Sequence, residues 1–421
     1  MTPRRPVIIA FAPHSWEDRW LSRQQLLSRL GRRGWPVIYS HGPLSLWDRG
    51  KPLWDNAPWI GNLAETDGIR VDRPGRLPPA WPSHPLWDRL AHRLHGERLR
   101  RATGDGKILL FLFHPAFWPY TEILRPAHVV YHVYDVHSAM VNWNPRWSAW
   151  EAALVERADL ITTSSEGMAR TLPGAGPIKA RVLHNGADSR RFLAARDSPC
   201  PEDLAAIPHP RIGYIGTVNA KIDLGMILTL STRRPEWHWV FIGPVMLTGE
   251  RERELGVLAL WEKLRQRKNI HLLGSRPREA VPAYVQHMDV NTICYRIADT
   301  AAGEADDWVV HGYPVKLHES LATGRPLVAA AQESVKNHFS HVARIATTTG
   351  EWENALVEAL ERGGVGTPEL RRAVALQNTW DERVDRLENW LLELGRDTNR
   401  AAAEPTNSSV HGQPTNSDKT V

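Results

Sequence analysis

Short apolar runs separated by longer amphipathic stretches recur along most of the chain. The runs fall at residues 6–12, 37–39, 107–113, 126–134, 211–217, 239–243, 269–274, 290–295 and 327–330. A continuous apolar run of this length is typical of a strand buried on both faces of a parallel sheet. The amphipathic stretches between the runs predict helices that cover those faces. The pattern therefore predicts an α/β protein built on parallel sheets.

A break in the pattern divides the chain into two halves. Residues 197–210 are rich in Pro and Asp, which is typical of a linker. We therefore expect an N-terminal domain over residues 1–200 and a C-terminal domain over residues 208–375. Residues 397–421 contain mainly Ala, Asn, Ser, Thr and Pro without apolar periodicity, and this composition predicts a disordered tail.

One amphipathic stretch, residues 86–101, has two interpretations. Its apolar positions fall near one stripe, and its arginines lie elsewhere; the stripe contains Trp87, Leu90, Leu94 and Leu99. In the first interpretation the stripe docks the helix on the sheet. In the second, the helix lies in a membrane surface, with apolar side chains in the lipid and arginines among the headgroups.

Composition narrows the class of protein only slightly. The 421 residues are 42% hydrophobic and 24% charged, which is an ordinary globular balance. The net charge of +5 suits phosphate-bearing substrates or an anionic membrane surface without selecting either. The 19 Trp residues exceed Tyr and Phe together, which indicates aromatic clefts or a membrane-facing surface. We expect no nucleic-acid partner.

The cysteines and the N-terminus give information about the cellular compartment. Cys200 and Cys294 have no metal-ligand spacing, which predicts a reducing compartment and no zinc site. The sequence has no run of about 20 apolar residues and no signal-peptide pattern. We therefore expect a cytoplasmic protein, and peripheral contact with the inner face of the cell membrane is the alternative. A Gly-x-Gly-x-x-Gly motif is missing after the first strand, which counts against a dinucleotide-dependent dehydrogenase.

The strongest candidate for chemistry is the stretch 311–330, which reads as turn, helix and buried strand. Pro314 suits the start of the helix, and Gly324 followed by Pro326 suits its end. Lys316 and Glu319 share one face of the helix. A helix N-terminus favours a phosphate, and a carboxylate one turn further on can accept hydrogen bonds from a sugar. The alternative is a surface ion pair without a ligand.

This stretch carries a resemblance. The pattern Pro-x-Lys-Leu-x-Glu-x-Leu-Ala-x-Gly-x-Pro-Leu-Val at 314–328 resembles the nucleotide-sugar motif of GT-B glycosyltransferases of the family 4-like (group 1) kind. Segments 181–192 and 211–223 resemble other parts of that family, and the likeness extends over roughly residues 7–394. It implies two Rossmann-like, doubly wound parallel-sheet domains facing across a cleft. It also implies that a helix at 376–396 crosses back onto the N-terminal domain.

The resemblance implies a function as well. A sugar would pass from a nucleotide-diphosphate sugar to a glycan or lipid-linked acceptor in polysaccharide or cell-envelope biosynthesis. The family mostly retains the anomeric configuration, and it needs neither a bound metal nor another cofactor. The second half of the chain also has no evident Asp-x-Asp metal pair.

The resemblance further assigns donor-binding residues. Glu319 would bind the ribose, and the turn formed by Pro314, Val315, Lys316 and Leu317 would face the pyrophosphate. Gly216, Thr217 and Lys221 would meet the phosphates, and the loop containing Arg276 would meet the base. His311 stands where the family often has a second Glu.

Three residues at predicted strand ends are the catalytic candidates. His114 follows one buried strand, and Asp135 and His137 follow the next. In open α/β folds ligands bind at the carboxyl ends of strands, so these groups could face the sugar or the acceptor. If the reaction inverted the anomeric centre, one of them would be the general base. The alternative for each is a helix cap or a satisfied loop hydrogen bond.

Two other functions remain open at this level. A GT-B-fold epimerase would act on the nucleotide sugar itself and would need no acceptor. A catalytically silent subunit of a polysaccharide assembly complex would bind the nucleotide sugar without turnover. His311 in place of a second Glu and the many tryptophans are the features that favour a silent subunit.

Overall fold

Two parallel sheets, one in each half of the chain, organise the fold. The computed structural model describes residues 5–18, 20–139, 143–247, 249, 256–297 and 307–403. The first sheet contains β1 (Val7–Phe11), β2 (Val37–Ser40), β3 (Asn62–Thr66), β4 (Ile69–Arg73), β5 (Ile108–Leu112), β6 (His128–Val133), β7 (Leu160–Thr163) and β8 (Ala180–Val182). The second contains β9 (Arg211–Ile215), β10 (His238–Ile242), β11 (Ile270–Gly274), β12 (Val290–Ile293), β13 (Leu327–Ala330) and β14 (Arg344–Ala346).

The order of the strands confirms the predicted fold class. The first sheet runs β3-β4-β2-β1-β5-β6-β7-β8, and the second runs β11-β10-β9-β12-β13-β14. All neighbours are parallel except β3 and β4, which form an antiparallel hairpin. The chain reverses its direction of winding between β1 and β5 and again between β9 and β12, and ligand crevices form at such switch points.

Helices flank both sheets. Ahead of β9 in the sequence they are α1 (Ser22–Arg32), α2 (Pro52–Asp55), α3 (Pro85–Ala102), α4 (Tyr120–Leu124), α5 (Pro145–Arg157), α6 (Glu166–Thr171), α7 (Gly176–Lys179), α8 (Ser189–Ala194) and α9 (Glu202–Ala205). Of these, α8 and α9 already pack on the C-terminal half. In the C-terminal half they are α10 (Leu224–Arg233), α11 (Val257–Leu264), α12 (Val281–Gln286), α13 (Asp307–Val310), α14 (Val315–Thr323), α15 (Glu333–Phe339), α16 (Thr349–Arg362), α17 (Pro368–Leu376) and α18 (Trp380–Ala403). None of the helices within the described ranges is long and apolar enough to cross a bilayer.

The last helix, α18, packs on the N-terminal half rather than on the sheet that precedes it. Trp380 and Leu387 share a buried cluster with Leu30 of α1. Arg33 adds an ion pair with Asp385 at 2.5 Å. The helix continues to Ala403, past residue 396, where the crossing helix was predicted to end. The rest of the predicted tail, 404–421, lies outside the described residues.

The crossing to and from the C-terminal half takes place at one point. The backbone N–H of Ala187 donates to the oxygen of Asn378 at 3.1 Å, and Trp380 donates back to Ala187 at 3.4 Å. A Cβ at Gly186 would lie 2.5 Å from the backbone nitrogen of Trp380. The two connecting segments therefore touch through their main chains, and glycine allows that contact.

The docking stripe predicted for α3 is correct for Leu99 and wrong for Trp87, Leu90 and Leu94, which are exposed. The helix packs inward through Ala91, Gly96 and Leu99, while Leu90 and Leu94 are exposed. Gly96 sets this orientation, because a Cβ there would lie 2.5 Å from the side chain of Ile123. The small residues bring the helix close to α4, and the larger apolar residues are left facing outward.

Candidate active site

A cavity of about 760 Å³ lies between the two halves. Its N-terminal wall is formed by residues that follow β1 and β6, and its C-terminal wall by residues of α8, α14 and the loop after β11. The wall residues that matter below are Asp18, Trp20, Asp135, Arg191, Arg276, Arg278, Val315 and Glu319. The cavity therefore lies at the carboxyl ends of strands from both sheets, where parallel-sheet proteins bind ligands.

Local sequence signals place α14 against this cavity. Pro314 is the N-cap, and Gly324 ends the helix with φ of +78°. Leu317 and Leu321 are fully buried beneath the helix. Val315, the first helical residue, lines the cavity, so the N-terminal end of the helix faces it. Leu317 is a core residue whose N–H donates to Pro314 at 3.1 Å, and its side chain does not reach the cavity.

Lys316 joins α14 to the end of β9. Its Nζ donates to the Tyr214 hydroxyl at 2.9 Å and lies 4.2 Å from the centre of that ring. Gly216 has φ of +142°, and a Cβ on it would come within 2.5 Å of Nζ. The Tyr214 hydroxyl in turn donates to the backbone oxygen of Thr217 at 3.1 Å. The structure thus brings together Gly216, Thr217 and Lys316, three of the predicted phosphate-facing residues.

Glu319 lines the cavity one turn further along α14 and is half-buried. Burial raises the pKa of Glu319, and the charges of Lys316, Arg278 and Arg191 oppose this only in part. The described residues contain no ion pair between Lys316 and Glu319, because Lys316 turns to Tyr214 instead. The surface ion pair considered from the sequence is therefore not formed, and the carboxylate faces the open space.

Asp135 reaches the same cavity from the opposite wall. It follows β6, and its Oδ1 accepts a hydrogen bond from the N–H of Val136 at 3.0 Å. Burial raises the pKa of Asp135, and Lys221 on the C-terminal half is near enough to oppose the shift. Lys221 itself is half-buried, and its backbone N–H donates to the Asn219 side chain at 3.2 Å.

His114 and His137 do not line this cavity. Both are buried, their rings 4.6 Å apart, and the ring of Trp147 packs 4.8 Å from His114. The Nδ1 of His114 accepts from the N–H of Ala116 at 3.1 Å, which is the capping role considered as the alternative. Burial lowers the pKa of His114 to about 4 and that of His137 to about 3, so both are neutral near pH 7.

His311 and Arg276 are held by protein groups. The Nδ1 of His311 lies 3.2 Å from Glu333, and its backbone oxygen accepts from the Ser165 hydroxyl at 2.5 Å. His311 thus belongs to the contact between the halves and is not among the cavity-lining residues. Arg276 does line the cavity, but its guanidinium is bound to Asp203 at 2.5 Å and to the Tyr284 hydroxyl at 2.9 Å.

Arg191, Arg278 and Trp20 are cavity residues that the sequence did not reveal. Arg278 lies 5.6 Å from the ring of Trp20, a cation–π contact across the cleft. Arg191 donates to the backbone oxygen of Arg278. Both arginines look like ordinary surface charges in the sequence. The one available signal for Arg278 is its position in the loop after β11, beside Arg276.

A second cavity of about 610 Å³ lies in the N-terminal half. It shares Glu17 and Asp18 with the first cavity and is lined also by His14, His41 and Leu53. The two spaces therefore adjoin at Glu17 and Asp18.

Comparisons with known proteins agree with this architecture. No family model matches the chain. Over 181 residues it is 26% identical to the "Putative teichuronic acid biosynthesis glycosyltransferase TuaH" of Bacillus subtilis (strain 168), a match that covers 42% of this chain and 42% of that relative. The match therefore spans less than half of the relative's length.

Solved structures match over nearly the whole chain. Anabaena Alr3699/HepE, in complex with UDP and glucose, superposes with a TM-score of 0.66 at 13% identity, covering 92% of this chain and all (100%) of HepE. Sucrose-phosphate synthase (tll1590) from Thermosynechococcus elongatus gives 0.61 at 15% identity, covering 95% of this chain and 100% of the synthase. At identities this low, the structural likeness shows the fold alone. The chain is therefore a GT-B-fold protein whose sequence and structural relatives are glycosyltransferases.

Proposed function

We propose that the protein transfers a glycosyl group from a UDP-sugar to an acceptor bound over its N-terminal half. The observation that carries the proposal is the wall around α14. Val315 at the helix N-terminus and the Glu319 carboxylate line one cavity together with Arg191 and Arg278. Lys316 follows Val315 in the chain and meets Gly216, although neither Lys316 nor Gly216 is among the cavity-lining residues. Solved structures of HepE contain UDP and UDP-glucose, which favours uracil as the base of the donor.

The proposed mechanism depends on positive charges near the leaving diphosphate. Transfer breaks the bond between the anomeric carbon and the diphosphate, so negative charge grows on the departing phosphate. Fixed donors and cations aimed at that charge lower the barrier. Lys316 and the N-terminal end of α14 would face the diphosphate, with Lys221 nearby. We therefore propose that the reaction proceeds without a metal on the diphosphate.

Asp135 would act on the other side of the sugar. It is the one catalytic candidate of the three that lines the cavity. Its raised pKa reflects a carboxylate that lacks full compensation from protein groups. We propose that it accepts a hydrogen bond from the sugar or the acceptor hydroxyl, with retention of configuration at the anomeric carbon.

A lipid-linked acceptor is supported by the surface beside the second cavity. Of the 18 exposed large apolar side chains in the described ranges, ten lie within residues 47–94. We call these ten the apolar face: Trp47, Leu53, Trp59, Ile60, Leu77, Trp81, Leu86, Trp87, Leu90 and Leu94. Exposed apolar residues concentrated in one region mark an interaction site more often than scattered ones do.

Hydrogen bonds join the parts of the apolar face. The N–H of Leu77 donates to Trp59 at 3.2 Å, and the indole of Trp87 donates to the backbone of Pro79 at 2.9 Å. The helix α3, which supplies four of the ten residues, has five arginines against Asp88 and Glu97. Apolar side chains flanked by excess positive charge suit an anionic bilayer surface. Leu53 also lines the second cavity, so a lipid-borne acceptor would enter beside the membrane.

Calorimetric binding of nucleotides tests the donor site. UDP, GDP, ADP and TDP are titrated into the wild-type protein, with and without Mg²⁺, and into Glu319→Ala. We expect UDP to bind in the absence of metal. We expect Glu319→Ala to weaken binding by about 1–3 kcal/mol, the loss of a charged hydrogen-bond acceptor. Glu361→Ala, on the exposed surface of α16, is the matched control and should bind as the wild type does.

Two results would contradict the proposed function. If Glu319→Ala bound UDP as tightly as the wild type, the donor would not sit on α14. If the nucleotide sugar were converted to another sugar nucleotide without any acceptor, the activity would be epimerisation rather than transfer.

Sedimentation with vesicles tests the apolar face separately. We expect binding to vesicles containing phosphatidylglycerol and little binding to pure phosphatidylcholine. The triple variant Leu86→Ser, Leu90→Ser, Leu94→Ser should bind at least about 10-fold more weakly, since each buried leucine contributes about 1.5–3 kcal/mol. Leu370→Ser, an exposed leucine of α17, is the control. If the triple variant bound the vesicles as well as the wild type, the proposed membrane contact would be wrong. The proposed donor site would not be affected.

A further inference from the structure

Two histidines and a glutamate meet where the two halves of the chain contact each other. The Nε2 atoms of His184 and His338 lie 3.2 Å and 3.1 Å from the same oxygen of Glu166. All three ligand atoms lie within 4.8 Å of one another. None of the three residues lines either cavity described above.

The residues come from different parts of the fold. Glu166 is the first residue of α6, and His184 follows β8, both in the N-terminal half. His338 lies on α15 in the C-terminal half. The cluster therefore spans the boundary between the halves, and anything bound by all three residues would hold the halves together.

Neighbouring groups hold two of these side chains in place. The ring of His184 stacks on Tyr313 with 4.5 Å between centroids and 15° between planes. The adjacent Asn185 donates to the backbone oxygen of Tyr313 at 3.0 Å. Ser165 caps α6, its Oγ accepting from the N–H of Met168 at 3.1 Å, and this fixes the helix start that carries Glu166.

The geometry suits a tetrahedral metal ion. Zn²⁺ binds imidazole nitrogens and carboxylate oxygens at about 2.0–2.2 Å, which places neighbouring ligand atoms of a tetrahedron about 3.3–3.5 Å apart. The two nitrogen–oxygen separations are already close to that spacing. Two imidazoles and one carboxylate are a common zinc ligand set that leaves a fourth position for water. Without an ion, the carboxylate can accept a hydrogen bond from each imidazole.

We infer that Glu166, His184 and His338 form a Zn²⁺ site that fastens the N-terminal half to the C-terminal half. The ion would sit outside the cavity and take no part in bond breaking. Its effect would be on the relative position of the two walls of the cleft. The inference goes beyond the proposed function and does not depend on it.

Zinc binding to the full-length protein tests the inference. Chelator-treated protein is titrated with Zn²⁺ in a calorimeter, and Co²⁺ is added separately to record the absorption of a tetrahedral site. We expect one ion per chain. His338→Ala and His184→Ala should each weaken binding at least about 100-fold, more than the loss of an outer-shell partner. Because the chain has 19 histidines, His209→Ala is the matched control, an exposed histidine paired with Asp289.

A second measurement guards against variants that fold poorly. Zn²⁺ should raise the Tm of the wild type and of His209→Ala, and it should leave the Tm of His338→Ala unchanged, since only a bound ion stabilises by mass action. UDP titrations on the same proteins should show that His338→Ala still binds nucleotide, which separates this inference from the donor site. Wild type and His338→Ala binding Zn²⁺ alike, or neither binding it, would overturn the inference.

Discussion

The buried carboxylate beneath α3 and the carboxylates of the cleft have pKa values shifted in opposite directions. Asp72 lies beneath α3 and is bonded to Ser40 at 2.7 Å, to His95 at 2.7 Å and to Arg98. Burial alone would raise its pKa, but His95 and Arg98 prevail and hold the pKa of Asp72 at about 2. Glu319 and Asp135 face the cavity with raised pKa values, and neither forms an ion pair with another residue in the described part of the chain.

The direction of the pKa shift distinguishes a carboxylate that stabilises the fold from carboxylates that are available to bind a ligand. A buried carboxylate with all its partners is compensated within the protein. A carboxylate left with neighbouring cations but no ion pair is a candidate for function, since its missing partner can come from a ligand. Each prediction below tests one side of this comparison.

Removing the charge of Asp72 should have the largest effect, on stability. Asp72→Asn leaves Arg98 and His95 without their buried partner, and we expect the free energy of unfolding to fall by about 3–5 kcal/mol. Urea denaturation measures it, and Asp105→Asn, at an exposed position, is the control. UDP affinity should not change. A loss below 1 kcal/mol would mean that the cluster contributes no more than an exposed ion pair.

Lys316→Met should have the next largest effect, on turnover. It removes the cation next to Gly216, and we expect transfer from UDP-sugar to slow by about 100- to 1,000-fold, as when one transition-state donor is lost. Lys336→Met, an exposed lysine on α15, should react as the wild type does. A decrease smaller than 10-fold would show that Lys316 does not face the leaving phosphate.

Glu319→Gln should have the smallest effect, and its sign is opposite to that of Asp72→Asn. Because the folded-state pKa of Glu319 is raised, the ionised side chain lowers stability near pH 7. The variant should therefore be slightly more stable than the wild type at pH 7, and the advantage should vanish as pH falls below the usual glutamate value of about 4.3. Thermal unfolding at the two pH values measures it.

The contribution of Asp72 has the reverse pH dependence. It is present above the unfolded pKa of about 3.9 and is lost as pH falls through about 2. The stability gap between wild type and Asp72→Asn should therefore close on acidification. A gap that stayed constant down to pH 2 would contradict the assigned pKa.

The sequence predicted α14 and the place of Glu319 because both depend on local signals. Pro314, Gly324 and the two buried leucines fix where the helix begins, ends and faces. His114 and His137 were correctly placed at strand ends, but whether they face the cleft depends on remote residues such as Trp147. Periodicity found the apolar stripe of α3 but not its direction, which Gly96 and its neighbour Ile123 decide. Arg191 and Arg278 meet Glu319 only through tertiary folding.

The paired crossing at Ala187 and Asn378 makes the C-terminal half an insertion within the N-terminal one. Its chain enters and leaves at main-chain segments that touch each other, and α18 then completes the first half. The segment between these points can therefore be exchanged as a single unit. Replacing it as one piece with the matching part of a relative would exchange the α14 wall of the cleft while keeping both main-chain connections to the host. Such an exchange needs only two crossovers, one at each of these neighbouring junctions.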